Sequence, residues 1–388
     1  MSARTVGIIG DGQLGMMLCE AATPLGLSTL MLTSDRHSPA ALRATEAVEG
    51  SMDDSAALIQ LIQRCDVITY EREDLPTATI AQLREAERDG AVRCFPPLAC
   101  IEMLQDKVAQ KRWYAENKLA TLPFEVVDGS TAQLQRAVEI LGLPVVQKAP
   151  RGGFDGRGVQ VLRSTEDLAA KAWPGATLLE QYAGEFREIA VLVVRNAQGE
   201  TRHFGPVDMT FETDYSVLDT VSAPAAVDPD VAAQAVDLAY RAIEAMQGVG
   251  VFGVELFLLS DGRVLINEIS PRVHNAGHYS LVACAASQFE HHLRAVAGLP
   301  MASTELHHPA AMKNLLCNPA LKAENQTRAA GAATEADGTT VFWYGKSAAR
   351  LMRKLGHITA TASSAEAARN LVEQRWQAIQ DSAAARAD

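Results

Sequence analysis

Two glutamates, an arginine and two imidazoles crowd into one part of the chain, and their spacing suits work on a phosphate. Residues 264–280 read VLINEISPRVHNAGHYS. A short β-branched run, Val264-Leu265-Ile266, delivers Asn267 and Glu268 to a strand end, and a loop opened by Pro271 then presents Arg272, His274, Asn275 and His278 in close succession. Glu255 lies upstream in GVELFLL, and Asp261-Gly262 between the two apolar runs is a hairpin signal. A hairpin brings Glu255 opposite Glu268. Two such carboxylates can share divalent cations, because hard cations take carboxylate oxygens and leave coordination positions for phosphate. The competing reading makes both exposed strand residues or partners of Arg272. Apolar neighbours on both sides favour the cation, since burying acids without one is costly.

The remaining chain must position these groups. Thr5 to Ile9 is a β-run that stops at GDGQLG, residues 10–15, before a helix over Met16 to Leu25. Strand, glycine turn and helix aim backbone N–H groups at an anion. A dinucleotide site also needs an acid closing the second strand, but Ser28 to Leu32 runs into Thr33, Ser34 and only then Asp35. Three readings stay open: a dinucleotide site, a degenerate doubly wound domain holding another ligand's phosphate, and a purely structural turn. A helix over Ser55 to Gln63 leads into the strand Val67 to Tyr70, which ends in Glu71, Arg72 and Glu73. An open parallel sheet gathers ligands at such strand ends, so these acids read a substrate or sit in a solvated loop. Pro96-Pro97 marks the first domain boundary.

Ile101 to Asn117 reads as helix and carries Asp106, Lys107 and Lys111; then come a strand (Phe124 to Val127), a helix (Thr131 to Leu141) and a strand (Val145 to Lys148). RGGFDGRG, residues 151–158, follows at once, and its amides can fold over phosphates while Arg157 adds charge. Since Val159 to Leu162 resumes a strand, the loop is a lid over a nucleotide or a plain glycine-rich hairpin. Leu178 to Tyr182 reads as a strand entering a hinge that can offer backbone groups to an adenine. Phe186 to Val194 is a core strand with Glu188 near its start, and Asp228 to Gln247 a scaffold helix. Gln288 to Ala297 is a helix whose His291 and His292 are expected on a solvated face. Met312 to Leu316 is a short strand; beyond it Lys346, Arg350, Arg353 and Lys354 form a local anion site or a solvated basic helix. Ser363 and Glu366 have capping-box spacing for a last helix that ends before the Ala-rich tail.

At 388 residues, 48% hydrophobic and 21% charged, the chain suits two or three globular domains. A net charge of −12 argues against broad nucleic-acid binding, which draws on basic residues. No segment approaches the roughly 18 consecutive apolar residues that span a bilayer, and the N-terminus lacks a long apolar signal core. A cytoplasmic address without membrane partners is the expectation. Cys19, Cys65, Cys94, Cys100, Cys284 and Cys317 contain no CxxC pair and read as reduced thiols.

The order and wording of GDGQLG, TYERE, Asp106-Lys107, Lys148, GGFDGRG, GVELF, NEISPRVHNAGHYS, SQFEHHLRAVAGLP, MKNLL, WYGK and RKLGHIT resemble the 5-(carboxyamino)imidazole ribonucleotide synthetases, a purine-biosynthesis branch of the ATP-grasp superfamily. The similarity runs to about Thr359. It implies an α/β chain, α+β overall: a pre-ATP-grasp doubly wound domain (1–100), a two-part ATP-grasp module (101–299, lid about 119–180), a small C-terminal β-rich domain (300–362), and a terminal helix and tail (363–388). It implies the ATP- and bicarbonate-dependent carboxylation of 5-aminoimidazole ribonucleotide through carboxyphosphate, with magnesium, in a homodimer. Glu255 and Glu268, with Asn267, would hold magnesium. Lys107 and Lys148 would contact nucleotide phosphates, covered by Gly152, Gly153, Phe154, Asp155, Gly156, Arg157 and Gly158. Glu180, Gln181, Tyr182, Ala183 and Glu188 would line the adenosine pocket. Arg272, His274 and Asn275 would grip bicarbonate and carboxyphosphate. Lys346 and Arg353 would bind the ribonucleotide phosphate with the amides of Gln13 and Leu14, Lys346 counting among the catalytic groups, while Glu73 and Asp155 would face the aminoimidazole and ribose.

Some positions depart from that pattern. Asp11 replaces a glycine beside the expected phosphate, Arg72 replaces an apolar residue, Lys107 replaces an arginine, and Pro206 to Glu212 reads PVDMTFE where a Glu-Asn pair and a histidine are usual. The alternatives are a formate-dependent glycinamide ribonucleotide transformylase, a biotin carboxylase, whose motifs have no match here, and an ATP-binding regulatory protein without turnover.

Overall fold

The computed structural model describes residues 4–153, 158–212, 215–318, 321, 333–346 and 350–384. Phe154, Asp155, Gly156 and Arg157 lie outside the described residues.

The first domain is a parallel sheet of β1 (Thr5–Ile9), β2 (Ser28–Thr33), β3 (Glu46–Glu49), β4 (Val67–Tyr70) and β5 (Arg93–Cys94) in the order β3-β2-β1-β4-β5. Helices α1 (Gln13–Ala22), α2 (Ser55–Arg64) and α3 (Thr77–Arg88) complete it. The strand order reverses between β1 and β4, so GDGQLG and Glu71 to Glu73 share the crevice at their carboxyl ends. Helix α1 starts at Gln13, earlier than the apolar run suggests, because Glu71 caps it.

Helices α4 (Leu98–Leu104) and α5 (Lys107–Glu116) replace the single expected helix. Asp106 breaks them apart: its carboxylate accepts the Val108 and Ala109 N–H groups at 3.0 and 3.1 Å and so starts α5. A small antiparallel sheet follows, β6 (Phe124–Val127), β7 (Val145–Lys148), β8 (Val159–Leu162) and β9 (Thr177–Gln181), ordered β6-β9-β7-β8, with α6 (Thr131–Leu141) and α7 (Thr165–Lys171).

The third sheet has nine strands, β10 (Phe186–Arg195), β11 (Thr201–Glu212), β12 (Val217–Ala223), β13 (Gly250–Leu259), β14 (Val264–Ser270), β15 (Ala310–Leu316), β16 (Ala333–Ala336), β17 (Thr339–Trp343) and β18 (Lys354–Thr361). Their order is β14-β13-β10-β11-β12-β15-β18-β17-β16. Helices α8 (Pro229–Ala245), α9 (Ser280–Ala283), α10 (Gln288–Ala297) and α11 (Ala365–Ala384) pack around it. Strand β10 is apolar from Ile189 to Val194 because both faces are covered there: Ile189, Val191 and Val193 meet Leu238 and Ala239 of α8, and Ala190, Leu192 and Val194 meet Phe289 and Leu293 of α10.

Two expectations need correcting and one open choice narrows. His291 and His292 are buried, not solvated, since α10 lies between the large sheet and α1. His292 Nδ1 accepts the Val251 N–H at 3.0 Å, and its Nε2–H donates to the Thr69 hydroxyl at 2.7 Å, joining β13 to β4. Of the two readings left open for the basic stretch around Lys346 and Arg353, the solvated helix is the one its described residues do not form, since they flank strands β17 and β18. Helix α11 takes its cap from Ser364, whose Oγ accepts the Ala367 N–H at 3.1 Å, and runs to Ala384 into the Ala-rich tail.

Candidate active site

The β13–β14 hairpin pairs Glu255 with Glu268, then Leu256 with Ile266, so Asn267 is the extra residue of a bulge. The bulge adds an amide oxygen beside the two carboxylates. Lys107, the first residue of α5, puts Nζ 2.5 Å from Glu268 Oε2. Lys148, at the end of β7, donates to Asn267 Oδ1 at 3.2 Å. His274 Nε2 lies 3.0 Å from Glu255 Oε1. Neither glutamate takes Arg272 as its partner, which removes that competing reading. Burial raises the Glu268 carboxyl, but the ammonium groups of Lys107 and Lys148 outweigh it and hold the group below its usual value.

Glu188 joins the same sheet face, since Ala190 is the register partner of Glu255 and Glu188 lies two residues from Ala190. Burial first, then the Glu255 and Glu268 charges, push its carboxyl up to about 8. Glu188 thus feels the charge of both hairpin glutamates. Two carboxylates and an amide oxygen, with a third acid disfavoured in its charged form, are a donor set that fits a hard divalent cation.

Beside it is a buried ion cluster. Glu180 at the end of β9 meets Lys111 Nζ at 2.8 Å and Lys148 Nζ at 2.6 Å. Burial opposes its charge, but the two lysines draw the Glu180 carboxyl down to about 2. Burial, with the neighbouring Lys148 and Lys107 charges, lowers the Lys111 ammonium to about 8 against the pull of Glu180. The Glu180 carboxylate is thus committed to the two lysines. At the hinge, Gln181 N–H donates to Pro123 O at 2.9 Å, Tyr182 carries the Arg163 guanidinium 5.9 Å from its ring centroid, and Ala183 is half-buried. The base of the glycine loop is closed by the Ala149 N–H to Gly158 O bond at 2.9 Å, with Gly152 and Gly158 both at positive φ.

The crevice of the first domain faces these groups. Glu73 accepts Arg272 through both carboxylate oxygens, from Nη2 at 3.0 Å and from Nε. Burial opposes the Glu73 charge, but Arg272 holds its carboxyl down to about 2 and is itself shifted upward by Glu73. Glu71, expected to read a substrate, instead accepts the Gly12 and Gly15 N–H groups at 3.0 and 3.3 Å. It caps α1 from inside and leaves the Gln13 and Leu14 amides between its two bonds. A Cβ on Gly10 or Gly12 would fall within 2.7 Å of this carboxylate side chain, which explains the glycines. Asp35 is exposed and accepts the His37 N–H in a local turn, so it closes no dinucleotide site. Arg72 turns away to Asp74, with Nε 2.8 Å from Oδ1.

From the C-terminal region Lys346 reaches across, donating to Gln13 Oε1 at 2.8 Å. Asp11 lies in the same turn but accepts the Thr33 hydroxyl at 2.5 Å. Arg353 precedes β18, and burial, with Arg350 nearby, lowers its guanidinium. Asn275 exchanges hydrogen bonds with Asn314 of β15 at 3.2 and 2.6 Å, so its amide is anchored to the C-terminal strands. In the divergent PVDMTFE stretch, Asp208 pairs with Arg187 and accepts the Ala226 N–H at 2.7 Å. Sequence reasoning gave no role to Lys111, Gln288 or Asn314. Lys111 alone leaves a signal, lying one helical turn beyond Lys107 on the same face.

Known proteins show the same organisation. Residues 3–105 match the ribonucleotide synthetase preATP-grasp domain family, 112–289 the ATP-grasp domain, and 310–371 the phosphoribosylaminoimidazole carboxylase C-terminal domain. The N5-carboxyaminoimidazole ribonucleotide synthase of Synechococcus elongatus is 41% identical over 93% of this chain and 90% of its own. The synthase of Brucella melitensis is 36% identical over 92% and 95%. A crystal structure of the Aspergillus clavatus synthase in complex with ADP and 5-aminoimidazole ribonucleotide superposes with TM-score 0.86 at 32% identity, covering 98% of this chain and 99% of that one. With three domains in the same order and a relative this similar across nearly its whole length, the chain belongs to the N5-carboxyaminoimidazole ribonucleotide synthase family.

Proposed function

We infer that the chain uses ATP to carboxylate the exocyclic amine of 5-aminoimidazole ribonucleotide, giving the N5-carboxyamino product for purine biosynthesis. The observation that carries this is that the second and third domains both contact the crevice of the first: Arg272, which follows the Glu255–Glu268 hairpin, pairs with Glu73, and Lys346 donates to Gln13. The Aspergillus clavatus relative holds ADP and the ribonucleotide together on the same fold.

The chemistry assigns parts to these groups. Bicarbonate is a weak nucleophile, and its phosphorylation needs positioning and charge neutralisation more than covalent catalysis. Glu255, Glu268 and the Asn267 amide oxygen would hold magnesium, which supplies charge neutralisation at the nucleotide phosphates when bound. Lys107 and Lys148 add positive charge beside it. Arg272, fixed by Glu73, and His274 border the space for bicarbonate, whose oxygen attacks the γ-phosphorus as ADP departs. The amine nitrogen then attacks the carboxyphosphate carbon; the C–O bond to phosphate breaks, and one amine proton is lost. Groups preorganised in a site that excludes water suit this intermediate. Lys346, seated by Gln13, is the counter-charge for the ribonucleotide phosphate, with Arg353 and the Gln13 and Leu14 amides.

The domain limits 1–100, 101–299 and 300–362, a cytoplasmic location and a homodimer belong to the same reading. The described residues contain no helix long and apolar enough to cross a membrane. The test is ADP release with magnesium and ATP, adding bicarbonate and 5-aminoimidazole ribonucleotide separately and together. Strong stimulation by the pair with an acid-labile carbamate product is expected; stimulation by formate and glycinamide ribonucleotide instead would overturn it.

A further inference from the structure

His274 is held by buried groups to which the synthase reading, on which this inference rests, assigns no part. The Gln288 side chain is fully buried and grips both backbone polar groups of His274. The His274 N–H donates to Gln288 Oε1 at 2.8 Å, and Gln288 Nε2 donates to His274 O at 2.6 Å. The second Nε2 hydrogen is directed to His278 Nδ1, 3.1 Å away. A carboxamide nitrogen only donates, so His278 Nδ1 is the acceptor and the neutral ring carries its proton on Nε2. Burial, and then the charges of His357 and other neighbours, push the His278 imidazole well below its usual range and keep it neutral. Behind it, the His357 ring centroid is 5.0 Å away, and His357 Nδ1 lies 2.7 Å from the Tyr344 hydroxyl.

The surroundings are shaped to admit this arrangement. A Cβ on Gly277 would lie 2.7 Å from the Gln288 carboxamide carbon, and one on Gly253 would lie 2.6 Å from the His274 ring. We propose that Gln288 is a positioning residue for the carboxylation: its carboxamide, oriented by His278 Nδ1, fixes the His274 backbone and so aims the imidazole at Glu255 and the bicarbonate space. His274 lies in a loop with no strand ladder to hold it, so this double grip takes the ladder's place.

Steady-state kinetics of the full chain test this, using Gln288→Leu, His278→Leu and His278→Asn, whose amide oxygen can accept where Nδ1 does. Gln288→Leu is expected to lower kcat/KM for bicarbonate by about 100-fold, the scale of a misplaced catalytic group. Binding of a fluorescent ADP analogue should stay within about twofold, since nucleotide contacts are untouched. His278→Leu should lose kcat/KM in the same direction, and His278→Asn should recover most of that loss. Parallel loss of nucleotide binding, unchanged kinetics, or His278→Asn no better than His278→Leu would overturn the assignment. If Gln288→Leu does not fold, the His278 pair decides. Wild-type protein without ADP release stimulated by bicarbonate and ribonucleotide would sink the synthase reading and this inference with it; an active wild type with insensitive variants sinks this inference alone.

Discussion

Glu268 sits where two lysines and a bulge meet, and its charge is held by Lys107 and Lys148 against burial. Replacing it with alanine removes a cation ligand and leaves those lysines unbalanced. Glu268→Ala should lower turnover by at least about 100-fold, the cost of losing a preorganised charge at a reacting centre. ADP release at saturating magnesium measures this, and near-normal turnover would refute the metal role. Lys346 makes a narrower prediction, because its ammonium donates to Gln13 in the turn of the first domain where the ribonucleotide phosphate is proposed to bind. Lys346→Ala should raise the KM for ribonucleotide about 10- to 100-fold, as expected for one charged hydrogen bond, while the KM for ATP barely moves. Equal effects on both substrates would remove its phosphate role. The pairing of Glu255 with Glu268 is legible in sequence because ionisable groups stand out against apolar strands joined by a turn. Glu71 is misleading for the same reason, since its partners, the Gly12 and Gly15 amides, come from a remote part of the chain.

Among the elements, β6, α6 and β7 begin and end where the sequence places them, because their apolar periods are clean and Ser130 and Gly142 bracket the helix. Helix α1 and helix α10 show what periodicity misses. The start of α1 is set by Glu71 on a neighbouring strand end, and the burial of α10 follows from docking on two sides, which no local pattern encodes. Burial of this kind makes α10, and β18 with its own buried histidine, sensitive to acid. His292 and His357 have folded values of about 3, against about 6.5 for a free imidazole. As pH falls through 6.5 the unfolded chain binds these protons first, so stability drops from there down to about pH 3. Each histidine steepens the fall by about 1.4 kcal/mol per pH unit. Glu73 and Glu180 act lower: their contribution is intact above about pH 4.3 and is lost as pH approaches 2. Urea midpoints measured from pH 7 to 5 should fall steadily, and a flat profile would contradict the buried neutral histidines.

At the scale of the molecule, the division into domains does not divide the sheet. Strand β12 of the nucleotide module pairs with β15 of the C-terminal domain, from Thr220 with Lys313 to Ala223 with Ala310. Chemical unfolding followed by tryptophan fluorescence and by circular dichroism should therefore give one coincident transition, and two separated transitions would show the C-terminal domain to be independent. A chain stopped before Ala310 should pellet on sedimentation, because β12 then ends in an open, unpaired edge. The same seam bears on how the protein is made. During translation β12 emerges long before the strand that covers it, and about 90 residues separate their ends. At roughly 5–20 residues per second, the nascent chain carries an uncovered β edge for on the order of 5–20 seconds. Slow codons between Ala223 and Ala310 would lengthen that interval, whereas a chaperone resting on β12 would act as a temporary stand-in for β15.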